Sequence, residues 1–414
     1  MVMELDANFP RYEQFGPAAP IWRITAGIER CFHRFFDTSP ISPSGRYVGL
    51  TRLPAEDRMP VAGEGAQVVV IDLQTGEHAI VAVTHAWDTQ LGAQVQWGAS
   101  DRELWFIDMH VERWLPFSVL MDPLSGERRE IAAGLYMVSP DGTRLAAPCL
   151  RRTRRTQRGY GVIAPDEHIP VNQGAPDDDG LYVTDVATGE SALVASFADI
   201  LDAALDAEDY AGGALYGFHV KWNLQGTRLM FVVRWVPEGA TEWISRKNAV
   251  ITMRPDGSEI RCAMPWDVWA RGGHHPNWTP DGERVMMNLK LDGEHMRLVS
   301  ARWDGADLQV MHSNLEGSGH PSLHPDGRHV LTDVYAHGPL AWEDGTTPLR
   351  LLDLETGEET RIARMRTKPD YEGDMKVLRV DPHPAWGPDW RHAAFNACPD
   401  GTRDVFVADL GGVL

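Results

Sequence analysis

Four histidines, His219, His275, His320 and His383, occupy one equivalent position in four consecutive repeats of this chain. Neutral imidazoles gathered at one point suit a divalent transition metal or a proton-transfer site. The chain has 16 histidines in 414 residues, so four in a row at one position exceeds what composition alone provides. Three stand directly before proline (His275-Pro276, His320-Pro321, His383-Pro384). A single such histidine is explained as a strand cap; four together point to metal binding or catalysis. Asp381, two residues before His383 and on the same strand face, is a carboxylate ligand or a loop cap.

Arginine forms the second concentration of chemistry. Arg151, Arg152, Arg154, Arg155 and Arg158 crowd together ahead of Gly159-Tyr160-Gly161. The chain carries 39 Lys+Arg against 59 Asp+Glu, a net charge of -20. That balance argues against a nucleic-acid backbone or an anionic membrane as partner, and any anionic ligand must meet a local basic pocket. The cluster is a candidate for gripping carboxylates or sulfates through bidentate forks. The alternative is a solvated loop paired with Asp177-Asp178-Asp179.

These groups need a scaffold, and repeated turns supply it. Ser42-Pro43-Ser44-Gly45 recurs as Ser139-Pro140-Asp141-Gly142, Thr279-Pro280-Asp281-Gly282 and His324-Pro325-Asp326-Gly327, with degenerate copies at Gly98-Ala99-Ser100-Asp101, Asn223-Leu224-Gln225-Gly226 and Gly387-Pro388-Asp389-Trp390. A second turn, typified by Asp72 to Glu77 and Asp353 to Glu358, follows each of these seven. Proline presets φ, aspartate caps through its side chain, and glycine takes the φ > 0 corner. Short apolar runs such as Val68-Val69-Val70-Ile71 lie between the turns and are strand-length. Seven such units predict an all-β, seven-bladed β-propeller as one domain over residues 1–414. The last copy stops after its third strand, so the N-terminal segment 1–36, around Trp22-Arg23-Ile24, is expected to close the ring. Insertions fall near 151–180 and 198–217, and long loops in compact domains tend to be functional. In the remaining three repeats the histidine position holds Thr38, Gln94 and Leu135.

Cys31, Cys149, Cys262 and Cys398 are scattered without a CxxC pair, which fits neither a disulfide framework nor a zinc knuckle. No apolar run approaches a membrane span, and the opening Met1 to Asp6 lacks the marks of a signal peptide, so the chain is expected to be cytoplasmic. The absence of a Gly-x-Ser-x-Gly elbow argues against the peptidases that carry propellers. What remains is histidine, tyrosine, arginine and a metal. Those groups suit β-elimination on a uronic acid, where the carboxylate charge is neutralised while a base removes the adjacent proton and an acid protonates the leaving oxygen. Hydrolysis would use two facing carboxylates.

Further runs carry a family resemblance: Phe36-Asp37-Thr38-Ser39-Pro40 through Tyr47, Gln94-Val95-Gln96-Trp97, Tyr136-Met137-Val138-Ser139 leading to Arg152 and Gly159-Tyr160-Gly161, Gly319-His320-Pro321-Ser322, and Arg379-Val380-Asp381-Pro382-His383-Pro384. Through them the chain resembles the propeller polysaccharide lyases, namely the ulvan lyases and, more distantly, the oligogalacturonate lyases. The resemblance implies Tyr136 as acid/base and Arg152 as carboxylate neutraliser, with His85, and His110 in reserve, in place of the family's upstream histidines; His219 is the other candidate for second proton transfer. It also implies a divalent metal (Mn, Zn or Ca) on His320 and His383. Asp381 stands where a histidine is expected and Leu378 where a glutamine is, an altered set that would recruit His275. Substrate contacts would come from Arg154, Arg155, Arg158, Tyr160, Gln94 and His110. The expected activity is cleavage of uronate-containing glycans, with an anionic oligosaccharide as partner. The alternatives are a non-catalytic carbohydrate- or protein-binding propeller, or a glycoside hydrolase.

Overall fold

The repeated turns take the conformations that their residues dictate. In the third repeat Gly142 has φ 72°, its amide donates to the Ser139 carbonyl at 2.8 Å, and Asp141 accepts from the Ser139 hydroxyl and the Thr143 amide. Each turn of this kind starts a new hairpin. In the computed structural model, which describes residues 5–240 and 246–414, the result is seven four-stranded antiparallel sheets arranged as a seven-bladed β-propeller. Of the segment Met1 to Asp6 on which the leader reading rests, Met1 to Glu4 lie outside the described residues.

Inner strands run Cys31–Phe32, Gln96–Trp97, Met137–Val138, Gly213–Trp222, Gly273–Trp278, Ser322–Leu323 and Ala385–Trp386 in blades one to seven. The expected closure is present: Ile21–Arg23 pairs antiparallel with Asp404–Asp409 as the outer strand of blade seven, with Ile21 opposite Ala408 and Arg23 opposite Phe406. Period-two alternation sends Ile21 into one core cluster, with Leu331, Ile362, Phe395 and Phe406. The adjacent Trp22 enters another, with Ile24, Val48, Ile71 and Val407.

A charge clamp recurs within the blades. The arginine just after the first turn grips the aspartate that opens the second: Arg46 on Asp72 at 2.6 Å, Arg328 on Asp353 at 2.5 Å, and Arg391 on Asp409 at 2.5 Å. Surface pairs of this kind are individually weak, but each ties two turns of one blade into register.

Two compact units are distinguished. One comprises Met1–Asp108, Val119–Arg129 and Ser318–Leu414, and the other Met109–Ser118 and Glu130–Gly317. The first contains blades one, six and seven; the second contains blades three, four and five, together with the helix Leu150–Thr153 and the helix Phe197–Ala204 in the two insertions. Among the described residues, no helix is long and apolar enough to cross a membrane.

Two outcomes follow from this packing. Ile21 is fully buried, so Ile21→Ala should cost about 2–5 kcal/mol, read as a lower urea midpoint at unchanged slope. The Ser139 hydroxyl, followed by the Thr143 amide, lowers the Asp141 carboxyl from 3.8 to about 2. A depressed folded value stabilises above the unfolded value and loses that contribution as pH falls through the folded one. Stability should therefore decline between about pH 4 and pH 2, and Asp141→Asn should flatten that decline in acid titrations followed by circular dichroism.

Candidate functional site

In the first unit, the loop before blade seven's inner strand is fixed by buried side chains acting on its backbone. Thr89 and Gln90 donate to the Val377 carbonyl at 2.7 and 2.9 Å, and Arg403 donates to the Arg379 carbonyl at 2.9 Å. Asn396 holds the next stretch, its amide on the Pro382 carbonyl at 2.8 Å and its side chain on the Asp381 carbonyl at 3.3 Å. Between two prolines, His383 adopts φ 48°, a left-handed conformation that non-glycine residues take only under such constraint.

His320 is held from behind. Its backbone amide donates to Asp333 at 2.6 Å and its Nδ1 lies 2.9 Å from both carboxylate oxygens. Both residues are about 1% exposed. A carboxylate there fixes the tautomer with the proton on Nδ1 and makes Nε2 the ligand atom, the arrangement commonly found behind metal-bound histidines. Gly319 makes this possible: at φ 59° it lies so close that an added Cβ would stand 2.1 Å from Asp333 Oδ1.

His320, Asp381 and His383 offer ligand atoms that all lie within 4.8 Å of one another, and all three are buried. The two imidazole rings are 4.3 Å apart, edge to face. Phe35 packs edge-on against both, 5.6 Å from His320 and 4.6 Å from His383, and Phe36 lies 5.3 Å from His320. Arg379 donates to Asp381 Oδ2 at 2.7 Å. Two imidazoles and a carboxylate fit a borderline divalent transition metal. His275 does not belong to this group; it lies in blade five's inner strand, in the second unit, with its ring 5.0 Å from that of His274.

Three neighbours escaped the sequence reading. His33 is fully buried and its amide is held by Asn396 at 2.9 Å. Burial pushes its imidazole down to about 4, with the Pro382 and His383 carbonyls pulling the other way. Next to it, Arg34 and Asp37 form a buried ion pair at 3.1 Å. Arg34 also donates to Gln94 Oε1 at 2.6 Å and to Thr38, so Gln94, read as a substrate contact, serves to orient this arginine.

The second unit contains a separate cluster. Tyr136 and His219, both buried, are joined by a short hydrogen bond between the phenol oxygen and Nδ1. Tyr160 lies edge-on to Phe218 at 4.9 Å and to His219 at 5.9 Å. A register shift between Gly217 and Val220 takes Phe218 and His219 out of the regular ladder. Gly217 is needed there, because an added Cβ would stand 2.6 Å from both Pro148 and the Phe231 ring. Arg234 lies 3.3 Å from the Phe218 ring centre and donates to Gln157 at 2.9 Å. Burial, then Arg246, pushes its guanidinium well below the usual range, while Tyr160 and Tyr136 favour its charge.

The arginine run is largely occupied by its own loop. Arg151 donates to the His168 carbonyl at 3.0 Å, and Arg155 to those of Asp166 and Ile169 at 3.2 and 2.8 Å. Arg152 pairs with the buried Asp179 at 3.2 Å, which realises for this residue the alternative of pairing with the acidic run. Arg154 is the C-terminal cap of the helix Leu150–Thr153, and Arg158 is exposed. Gly161 allows that helix and the Tyr160 loop to touch, since a Cβ would stand 2.7 Å from the Arg154 amide nitrogen. His85 follows blade one's outer strand with Asp108 as partner, amide to carboxylate at 2.9 Å; Tyr136 pairs with His219. His110 stacks on Phe117 at 4.4 Å.

Manganese titrated into the protein by calorimetry should bind with one-to-one stoichiometry. His383→Ala should abolish that binding, and Asp333→Asn, which touches no metal, should weaken it about 10–100-fold.

No family model matches the chain, and no curated protein does. Among solved structures the chain is similar to an oligogalacturonate lyase in complex with manganese, at 17% identity and TM-score 0.63 over 97% of this chain and 96% of that one. It is also similar to the oligogalacturonate lyase of Vibrio parahaemolyticus, at 14% identity and TM-score 0.63 over the same shares. At these identities the likeness is one of fold, the seven-bladed β-propeller.

Proposed function

We propose that this chain is a lyase that cleaves uronate-containing oligosaccharides by β-elimination. The observation that carries the reading is the buried His320, His383 and Asp381 group backed by Asp333, on a fold matched along nearly its whole length by an oligogalacturonate lyase seen with manganese. His320, His383 and Asp381 would hold the metal. When bound, a divalent ion supplies charge neutralisation for the uronate carboxylate, which makes the adjacent C–H more acidic. Phe35 and Phe36 exclude water from this group and so strengthen its electrostatics.

Tyr136 takes the acid/base role. With the ring proton of His219 on Nε2, Nδ1 accepts from the phenol, and the imidazole can then take up the phenolic proton and return it. Arg234 interacts electrostatically with the Tyr136 phenol, so negative charge developing there as the proton leaves and the charged form of this buried guanidinium would favour one another. Of the two histidines considered for second proton transfer, His219 is the one in hydrogen-bond contact with Tyr136. The role read for Arg152 by likeness to the ulvan lyases is modified by Asp179, which already balances its charge; Arg152 is better placed to position the insertion than to neutralise a substrate.

Incubation with galacturonate and other uronate oligosaccharides in the presence of manganese should raise the ultraviolet absorbance of an unsaturated product. EDTA should remove the activity and manganese restore it. Tyr136→Phe should lower kcat about 10²–10⁴-fold with the circular dichroism spectrum unchanged. No absorbance change across the panel would leave a binding propeller or a hydrolase, and reducing-sugar release without absorbance would identify the latter.

A further inference from the structure

The second unit contains a cavity of about 430 Å³ away from the residues assigned above to proton transfer. It lies between the first insertion and the two longest strands of blade four. Its wall includes Arg155, Val171, Asn172, Gly174, Tyr216 and Glu238. This size is within the range of small-molecule sites, ample for a sugar residue.

The wall is built rather than incidental. Gly174 forms a parallel bridge with Ala214 and accepts from the Leu215 amide at 2.8 Å, so the insertion adds a short edge to blade four. Asn172, 6% exposed, donates to Asp179 and to the Leu215 carbonyl, both at 2.8 Å, and its amide donates to the Tyr216 hydroxyl oxygen at 3.0 Å. Arg155 Nε is buried with no hydrogen-bond partner among the described residues, a donor that buried sites rarely leave unmatched. Burial raises the Tyr216 phenol, opposed first by the Asn172 amide and then by Arg155 and Arg152, with Asp179 adding to the rise, so both arginines act on this wall of the cavity. Glu238 is an exposed lining residue, an acceptor for hydroxyl groups. Tyr216 and His219 share the strand Gly213–Trp222, so the cavity and the proton-transfer pair are carried by one element.

We propose that this cavity is an auxiliary subsite for a uronate residue of the oligosaccharide, with its carboxylate on Arg155 and its hydroxyls on Asn172 and Glu238. It rests on the uronate reading of the preceding subsection and extends it to substrate length, favouring chains of several residues over the shortest ones. Val171 and Glu238 are both exposed, so the site can be changed without disturbing the core.

The test is calorimetric titration of the full chain in EDTA with trigalacturonate, and separately with the neutral trigalactose. Trigalacturonate should bind wild type, and Val171→Trp, which fills the cavity, should weaken it at least 10-fold. Glu238→Ala should weaken it less, at an unchanged melting temperature in both variants. Equal binding of the neutral trisaccharide would overturn the uronate assignment, and unaltered affinity in Val171→Trp, or no binding by wild type, would overturn the subsite. Binding that is sensitive to Val171→Trp but gives no ultraviolet product once manganese is added would sink the lyase reading while leaving the subsite standing.

Discussion

The first unit's site depends on one buried contact, the Asp333 carboxylate on His320. Burying an aspartate is costly unless its oxygens are satisfied, and here the amide and the ring of one residue meet both of them. The contact exists only because residue 319 is glycine: any side chain would displace the carboxylate. From this follow the imidazole orientation and the choice of Nε2 as the nitrogen left for a ligand; His383 and Asp381 are brought up separately, on the loop that Thr89, Gln90, Arg403 and Asn396 hold. The aromatic walls of Phe35 and Phe36 then make the position dry as well as directed.

Much of this architecture was visible in the sequence because turns obey local chemistry. The Pro-Asp-Gly corners and the Asp-x-x-Thr-Gly-Glu corners repeat with the blades, and the missing last strand pointed to the segment around Trp22-Arg23-Ile24, one residue from the observed Ile21–Arg23. The equivalence between Gln94, His275 and His383 has a backbone basis, since all three adopt positive φ of 48–57°. What stayed hidden was partner choice across space. Asp333 reaches His320 from the neighbouring strand and has no motif of its own, while Arg34 reads as one more charged residue until Gln94 and Asp37 are seen around it. The arginine run was conspicuous as a cluster, yet Arg151 and the Nη2 of Arg155 are engaged by backbone carbonyls and Arg152 by Asp179, which leaves Arg155 Nε as a donor still to be matched among the described residues. Linear density of charge says little about how much of it faces a ligand.

The two clusters show different ways of holding imidazole. His320 is oriented by a carboxylate, which suits a ligand whose ring must not turn. His219 is oriented by a phenol, which suits a group whose proton must move. The bulge that frees Phe218 and His219 from their ladder sacrifices regular pairing for aim, a common use of bulges beside functional groups.

The pairing of Ile21–Arg23 with Asp404–Asp409 joins segments that lie far apart along the chain. Blades built from contiguous segments can hairpin locally, but the seventh must wait with one open flank until a segment hundreds of residues earlier in the chain returns to it. Such a distant contact slows folding, and during the delay the exposed edge of Asp404–Asp409 can recruit a strand from another chain. The buried Ile21 and Trp22 side chains favour the correct strand over intruders, so the segment acts as a timing element as well as a structural one.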